Sequence, residues 1–210
     1  MGEDDHDLQG QWGVAAGRYG VLVKRRESIR SIKVRTLARN DTRITAEPGK
    51  QEIIIEREFA APRELVFKAW TESERLKDWW GPKGFAMLSL KLDLRPGGVF
   101  HYCMRAPNGS EMWGKFVYRE VVEPERIVFV NSFSDEKGNL TRHPLSPSWP
   151  REVLNTLTLT EHAGKTTLRL QGHPINATEE ERKTFEAGFT SMQQGFGGTF
   201  DLLAAYLARA

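Results

Sequence analysis

Apolar and polar positions follow different rules along different stretches of this chain, and the change comes near residue 50. From Glu52 to Phe59 three isoleucines and a phenylalanine sit among charged residues, a β-branched run that reads as a strand. Pro62 then stands where a first helical turn accepts it, and Leu65, Val66, Ala69 and Trp70 form one apolar stripe. A second short helix, Glu72 to Trp79, stops at Gly81-Pro82. Strands follow at 85–94, 99–105, 111–122 and 127–133, divided by Pro96-Gly97-Gly98, Asn108-Gly109 and Glu123-Pro124-Glu125-Arg126. Links this short force antiparallel pairing, because a parallel crossover needs a dozen residues or more. Residues 134–150 hold three prolines and no periodicity, which predicts a long loop of the kind that forms lids and mouths. A final hairpin, 151–160 with 166–171, turns at His162-Ala163-Gly164.

The C-terminal pattern is helical. Thr178 and Glu181 have capping-box spacing. Phe185, Phe189, Met192, Phe196, Phe200, Leu203 and Leu207 then recur at intervals of three and four, which predicts one continuous helix with a single apolar face. Gly188, Gly195, Gly197 and Gly198 fall inside it, each costing about 1 kcal/mol against alanine. Close backbone packing, room for a ligand, or a local kink would each account for them.

The first fifty residues are different in kind. They carry a net charge of +3, while the remaining 160 carry −1, so the overall +2 describes no basic face on the main domain. After the acidic start MGEDDHD, residues 18–43 are rich in Lys and Arg and lack a clean period. A basic arm for nucleic acid or anionic lipid, an Arg-rich targeting segment, and a mobile solvated extension are the available readings. We take residues 1–50 as a basic, flexible extension and 51–210 as the folded domain. No run approaches 18 apolar residues, which argues against a membrane-spanning helix. A single cysteine, Cys103, excludes an internal disulfide, and a reducing cytoplasm is the expected compartment.

The order of strand, two short helices, six strands and long helix resembles the helix-grip fold of the START, polyketide-cyclase and birch-pollen-allergen (SRPBCC) superfamily. Several phrases are similar to its heat-shock-protein ATPase activator homologue-like family: Arg57-Glu-Phe-Ala-Ala-Pro-Arg-Glu-Leu-Val-Phe67, Trp79-Trp-Gly-Pro82 and Pro96-Gly-Gly98. So are Tyr118-Arg-Glu-Val-Val-Glu-Pro-Glu-Arg126 and Met192-Gln-Gln-Gly-Phe-Gly-Gly-Thr-Phe-Asp-Leu-Leu203. The resemblance covers roughly residues 52–208. It implies an α+β domain in which a curved antiparallel sheet of six to seven strands wraps a long C-terminal helix around an apolar cavity. Phe196 departs from the tryptophan that family members commonly carry there, so the cavity wall is expected to differ.

Chemistry is sparse. The five histidines, 6, 101, 143, 162 and 173, include no helical metal pair, and no nucleophile elbow, Walker loop or dinucleotide fingerprint is present. No metal or cofactor is expected. Cys103, on a strand without a local partner, reads as a small buried residue. His101 and Glu111 face one another across a predicted hairpin, as an acid–base pair or as an exposed cross-strand pair. No catalytic residue is assigned.

An aromatic lining is clearer. Phe100, Tyr102 and Met104 alternate on one strand, Phe129, Asn131 and Phe133 on another, and Trp80, Trp113 and Trp149 stand near turns or strand starts, where a cavity mouth is expected. Asn131 stands out because a buried amide in an apolar row must find a hydrogen-bond partner. Phe189, Met192 and Phe196 complete the set from the helix. The expected function is binding of a small, mainly hydrophobic molecule, oriented by Asn131, Tyr102 and His101. A cyclase- or hydrolase-type enzyme using the same cavity and a co-chaperone-like interaction domain are the alternatives. Ile54, Val128 and Val130, placed on the outer face of the sheet, suggest a homodimer; nucleic acid and membrane are not expected partners.

Overall fold

A computed structural model describes residues 42–46 and 51–210. Everything expected of residues 1–41 and 47–50 lies outside the described residues.

The strands are β1 (Thr42–Ala46), β2 (Ile53–Phe59), β3 (Ala86–Leu92), β4 (Val99–Arg105), β5 (Glu111–Val122), β6 (Arg126–Ser134), β7 (Glu152–His162) and β8 (Lys165–Ile175). They form one antiparallel sheet in the order β1-β2-β8-β7-β6-β5-β4-β3. Eight strands thus replace the expected six to seven. The added one, β1, pairs residue by residue with β2, from Thr42 opposite Arg57 to Ala46 opposite Ile53. Between β2 and β3 run α1 (Arg63–Thr71) and α2 (Ser73–Trp79), and the chain closes with α3 (Glu179–Ala187) and α4 (Phe189–Leu207). β2, the strand before the helices α1 and α2, pairs with β8, the last strand in chain order, Ile53 opposite Gly172.

The expected turns carry the expected backbone. Ala163 and Gly164 both have positive φ, 51° and 74°, as a two-residue hairpin that follows the strand twist requires. Gly81 ends α2 with φ 120°, and a Cβ there would stand 2.6 Å from Met104 Sδ, so both conformation and space call for glycine.

The predicted single C-terminal helix is broken at Gly188. The Thr178 hydroxyl accepts from Glu181 N while the Glu181 carboxylate accepts from Thr178 N, so the start is as expected. Tertiary packing meets the chain at this point: a Cβ at Gly188 would lie 2.7 Å from Cζ3 of Trp149, in the long loop. The glycine lets an indole ring rest on the helix backbone. Of the three explanations for these glycines, close approach and a local break both hold at position 188. At Gly197 and Gly198 an added Cβ would meet nothing within 4 Å among the described residues.

The core lies on the inner face of the sheet, beneath the helices. Phe200 and Leu203 of α4 are fully buried, with Phe200 edge-on to Phe59 of β2 and Trp70 of α1. Arg57 points inward too. Only 8% exposed, it meets Asp201 Oδ1 at 2.6 Å and Thr42 Oγ1 at 3.2 Å, and its guanidinium covers Phe59. Arg75 Nη1 donates to Tyr206 Oη at 2.8 Å, tying α2 to the last turn of α4. The C-terminal half of α4 is therefore seated firmly, whereas Phe189, Met192, Gly195 and Phe196 in its first half are only half-buried.

The other face of the sheet carries the residues that alternate with the core. Val130 there is 3% exposed and Ile54 and Val128 are half-buried, so Val130 adds nothing to an exposed apolar patch. Among the described residues, no helix is long and apolar enough to cross a membrane.

Candidate functional site: a cavity between sheet and helix

Where the half-buried end of α4 stands over the sheet, the inner face lines a partly open cavity of about 110 Å³. A single water needs about 10–15 Å³ of such space, so this cavity admits a molecule larger than one water. The sheet contributes Ile53, Ile55, Tyr102, Phe116, Phe129, Asn131, Phe133, Val153, Asn155 and Leu170. Helices and loops add Trp70, Trp80, Gly81, Pro82, Trp149, Phe185, Met192, Gly195, Phe196 and Thr199. None of these carries a formal charge. Among the described residues no group of His, Cys, Asp and Glu is arranged to hold a metal.

Eight of the twelve residues singled out from the sequence come together here: Trp80, Tyr102, Phe129, Asn131, Phe133, Trp149, Met192 and Phe196. Four do not. Phe100 points inward but is packed solid, with Tyr102, Phe116 and Trp80 rings around it at 4.8, 5.2 and 6.2 Å. Met104 fills the space beneath Gly81. Phe189 turns toward Phe185 at 5.6 Å and stops short of the wall. Trp113 lies on the opposite face of the sheet: it pairs with Cys103, one residue out of phase with Tyr102, and stacks on His101 at 5.0 Å.

His101 shares that outer face, so it cannot orient a guest in the cavity. Its Nε2 meets Ser134 Oγ and the Asp135 carbonyl at 3.2 and 3.1 Å. Nor does it pair with Glu111, whose carboxylate accepts from Arg105 at 2.8 Å in the directly opposed position. Cys103 is buried, and burial pushes its thiol up from the ordinary value.

The polar groups in the wall are few and well defined. Asn155 Nδ2 donates to Asn131 Oδ1 at 2.9 Å and to the Val153 carbonyl at 3.0 Å. Thr199 Oγ1 lies 3.0 Å from the Gly195 carbonyl and 3.3 Å from that of Gly81, linking α4 to the Trp80-Gly81-Pro82 turn. Tyr102 lays its phenol across Gly114 of the next strand, where a Cβ would sit 2.6 Å from the hydroxyl oxygen. Burial pushes the Tyr102 phenol far above its ordinary range, so it remains an O–H group. The Trp80 indole opposes that shift, though neither Trp70 Nε1 nor Trp80 Nε1 meets hydrogen-bond geometry with an acceptor among the described residues. A buried N–H left in that condition costs about 1–3 kcal/mol.

The long loop closes one side. Its Trp149 packs against Phe185 at 5.4 Å, and His143 is buried against the Phe133 ring at 4.6 Å. Arg142 Nη1 meets Glu181 Oε1 at 2.9 Å, so the capping carboxylate of α3 also fastens the loop. The backbone N–H of Thr178, and after it Arg142, hold the Glu181 carboxyl below its ordinary value.

Wall residues not singled out from the sequence include Ile53, Ile55, Trp70, Phe116, Val153, Asn155, Leu170, Phe185 and Thr199. Asn155 carried a usable signal. Like Asn131, it stands in an apolar inward row, between Val153 and Leu157.

An antiparallel sheet gripping a C-terminal helix over an uncharged, aromatic-lined cavity defines a helix-grip protein of the SRPBCC superfamily. Residues 60–208 match the family described as "Activator of Hsp90 ATPase homolog 1-like protein", and the chain belongs to that family. Solved structures with this fold include protein Ms6760 from Mycobacterium smegmatis, at 26% identity and TM-score 0.66, covering 80% of this chain and 96% of that one. Protein NE0264 from Nitrosomonas europaea has 25% identity and TM-score 0.61, covering 75% and 94%. A Staphylococcus epidermidis protein solved by NMR has 25% identity and TM-score 0.63, covering 79% and 94%. No protein of curated function matches the sequence.

Proposed function

We propose that this protein binds a small, mainly hydrophobic molecule in the cavity between its sheet and α4. The observation that carries the reading is the wall itself: aromatic and aliphatic side chains around about 110 Å³, with a fixed amide pair and no charged group. Such sites gain affinity by removing ligand surface from water, at about 25 cal/mol per Å² before the entropy of association is subtracted. Few polar groups then set orientation. The cyclase or hydrolase alternative has no carboxylate, imidazole or ammonium group in the wall to work with. The co-chaperone alternative rests on the family's name.

The test is a thermal-shift screen of compact apolar compounds against the wild type and Met192→Trp, which fills part of the space from α4. Saturable stabilisation of the wild type that is lost in the variant supports the reading. Equal stabilisation of both, or of neither, rejects it.

A further inference from the structure

The amide pair fixes which end of a dipole the cavity accepts. Val153 O can only accept, so the Asn155 atom facing it must be the amide nitrogen. That same nitrogen faces Asn131, whose contacting atom must therefore be its oxygen. The remaining Asn155 oxygen lies on the β8 side of the pair, 2.7 Å from where a Gly172 Cβ would be. What is left for the cavity is the N–H₂ group of Asn131, a half-buried wall residue. Tyr102, two strands away, adds an O–H. The hydroxyl hydrogen of Thr199 is directed to backbone carbonyls on either side. The wall therefore offers hydrogen-bond donors but no formal charge. A buried donor without an acceptor is penalised, and an ionised guest would lose its hydration without a counter-charge.

We infer that the guest is an uncharged molecule bearing a carbonyl-type acceptor, which receives the amide N–H₂ of Asn131. This rests on the cavity being a binding site, and it adds that ketones, esters, amides and quinone-like compounds are preferred over hydrocarbons and carboxylates of the same shape.

Three probes on one skeleton separate these ideas: 2-acetylnaphthalene, 2-isopropenylnaphthalene, in which C=CH₂ replaces C=O, and 2-naphthoate. Isothermal titration calorimetry on the full chain is expected to show the ketone binding about 10-fold tighter than the alkene, the worth of one hydrogen bond. Naphthoate is expected to bind at least 10-fold more weakly than the ketone. In Asn131→Leu the preference for the ketone should vanish while the alkene still binds. Should that variant fail to fold because the Asn155 donor is orphaned, Asn131→Leu/Asn155→Leu removes both partners and makes the same comparison. Equal binding of ketone and alkene, or tight binding of naphthoate, overturns the inference and leaves the cavity as a binding site. A ketone preference that survives the leucine substitutions also overturns it. Failure of all three probes overturns the cavity reading and the inference with it.

Discussion

Replacing Gly188 by alanine sets two opposed effects of known size against each other. Gly188 has φ −80° and ψ −3°, a conformation any residue accepts, so alanine gains up to about 1 kcal/mol of helix propensity. The new methyl, however, would stand 2.7 Å from Trp149 Cζ3, 3.1 Å from Cη2 and 3.3 Å from the Phe185 carbonyl. Carbon atoms prefer about 3.5–4.0 Å, so the indole must retreat by about 1 Å. It has little room, being 7% exposed and flanked by Phe185 and His143. Overpacking of this kind costs about 1–3 kcal/mol, so the clash wins and the net loss is about 1 kcal/mol. For a domain of this size that lowers Tm by about 2–4 °C. Gly197→Ala is the internal control: nothing among the described residues lies within 4 Å of its Cβ, and Tm should rise by about the same amount. Melting curves of both variants by circular dichroism give the answer. If the two melt upward together, the indole is not seated on the helix at Gly188. Trp149→Phe should cost less stability in the Gly188→Ala background than in the wild type, because it removes the ring atoms that collide.

Other consequences follow from single contacts. Gly114→Ala would drive a methyl into the Tyr102 ring, 2.6 Å from Oη and 2.7 Å from Cζ; about 2 kcal/mol should be lost, read as a lower urea midpoint. Asp201→Ala strips the buried Arg57 of its 2.6 Å partner; because Asp201 is half exposed, we expect a loss of about 1–3 kcal/mol by denaturant titration, below the full value for a buried pair. Glu181 titrates below its ordinary 4.5 in the folded protein, so its contribution is complete above that value and is lost as pH falls through the lower folded one. Glu181→Gln should therefore melt below the wild type at pH 7 by the equivalent of about 1 kcal/mol, and the gap should narrow in acid.

How much of this was legible beforehand differs by element. Strand alternation and turn chemistry are local, and β2 to β8 appear where the residues place them, with β8 running on to Ile175 beyond the expected stop. A kink at one of the helix glycines was readable, but that it falls at Gly188 was not, because Trp149, which rests there, lies 39 residues earlier and reaches the helix only after the long loop folds back. The cavity was half legible. Inward-facing residues can be read from alternation, but whether an inward ring lines a space or fills one depends on sheet curvature. Phe100 and Phe116 pair across β4 and β5, yet only Phe116 reaches the cavity. Trp113 was misplaced because proximity to a turn says nothing about which face a residue takes. Its register with Cys103 decides that.

Whether the space under α4 takes a guest can be read by mapping that guest onto side chains. Methyl NMR of Ile-, Leu- and Met-labelled protein during titration with 2-acetylnaphthalene reads the two faces of the sheet at once. Saturable shifts are expected at Ile53, Ile55, Leu170 and Met192, which line the cavity, with Ile54 and the exposed Leu88 of β3, both outside it, unmoved. Shifts confined to Ile54 and Leu88, or no saturable shift at the cavity methyls, would contradict binding in the cavity.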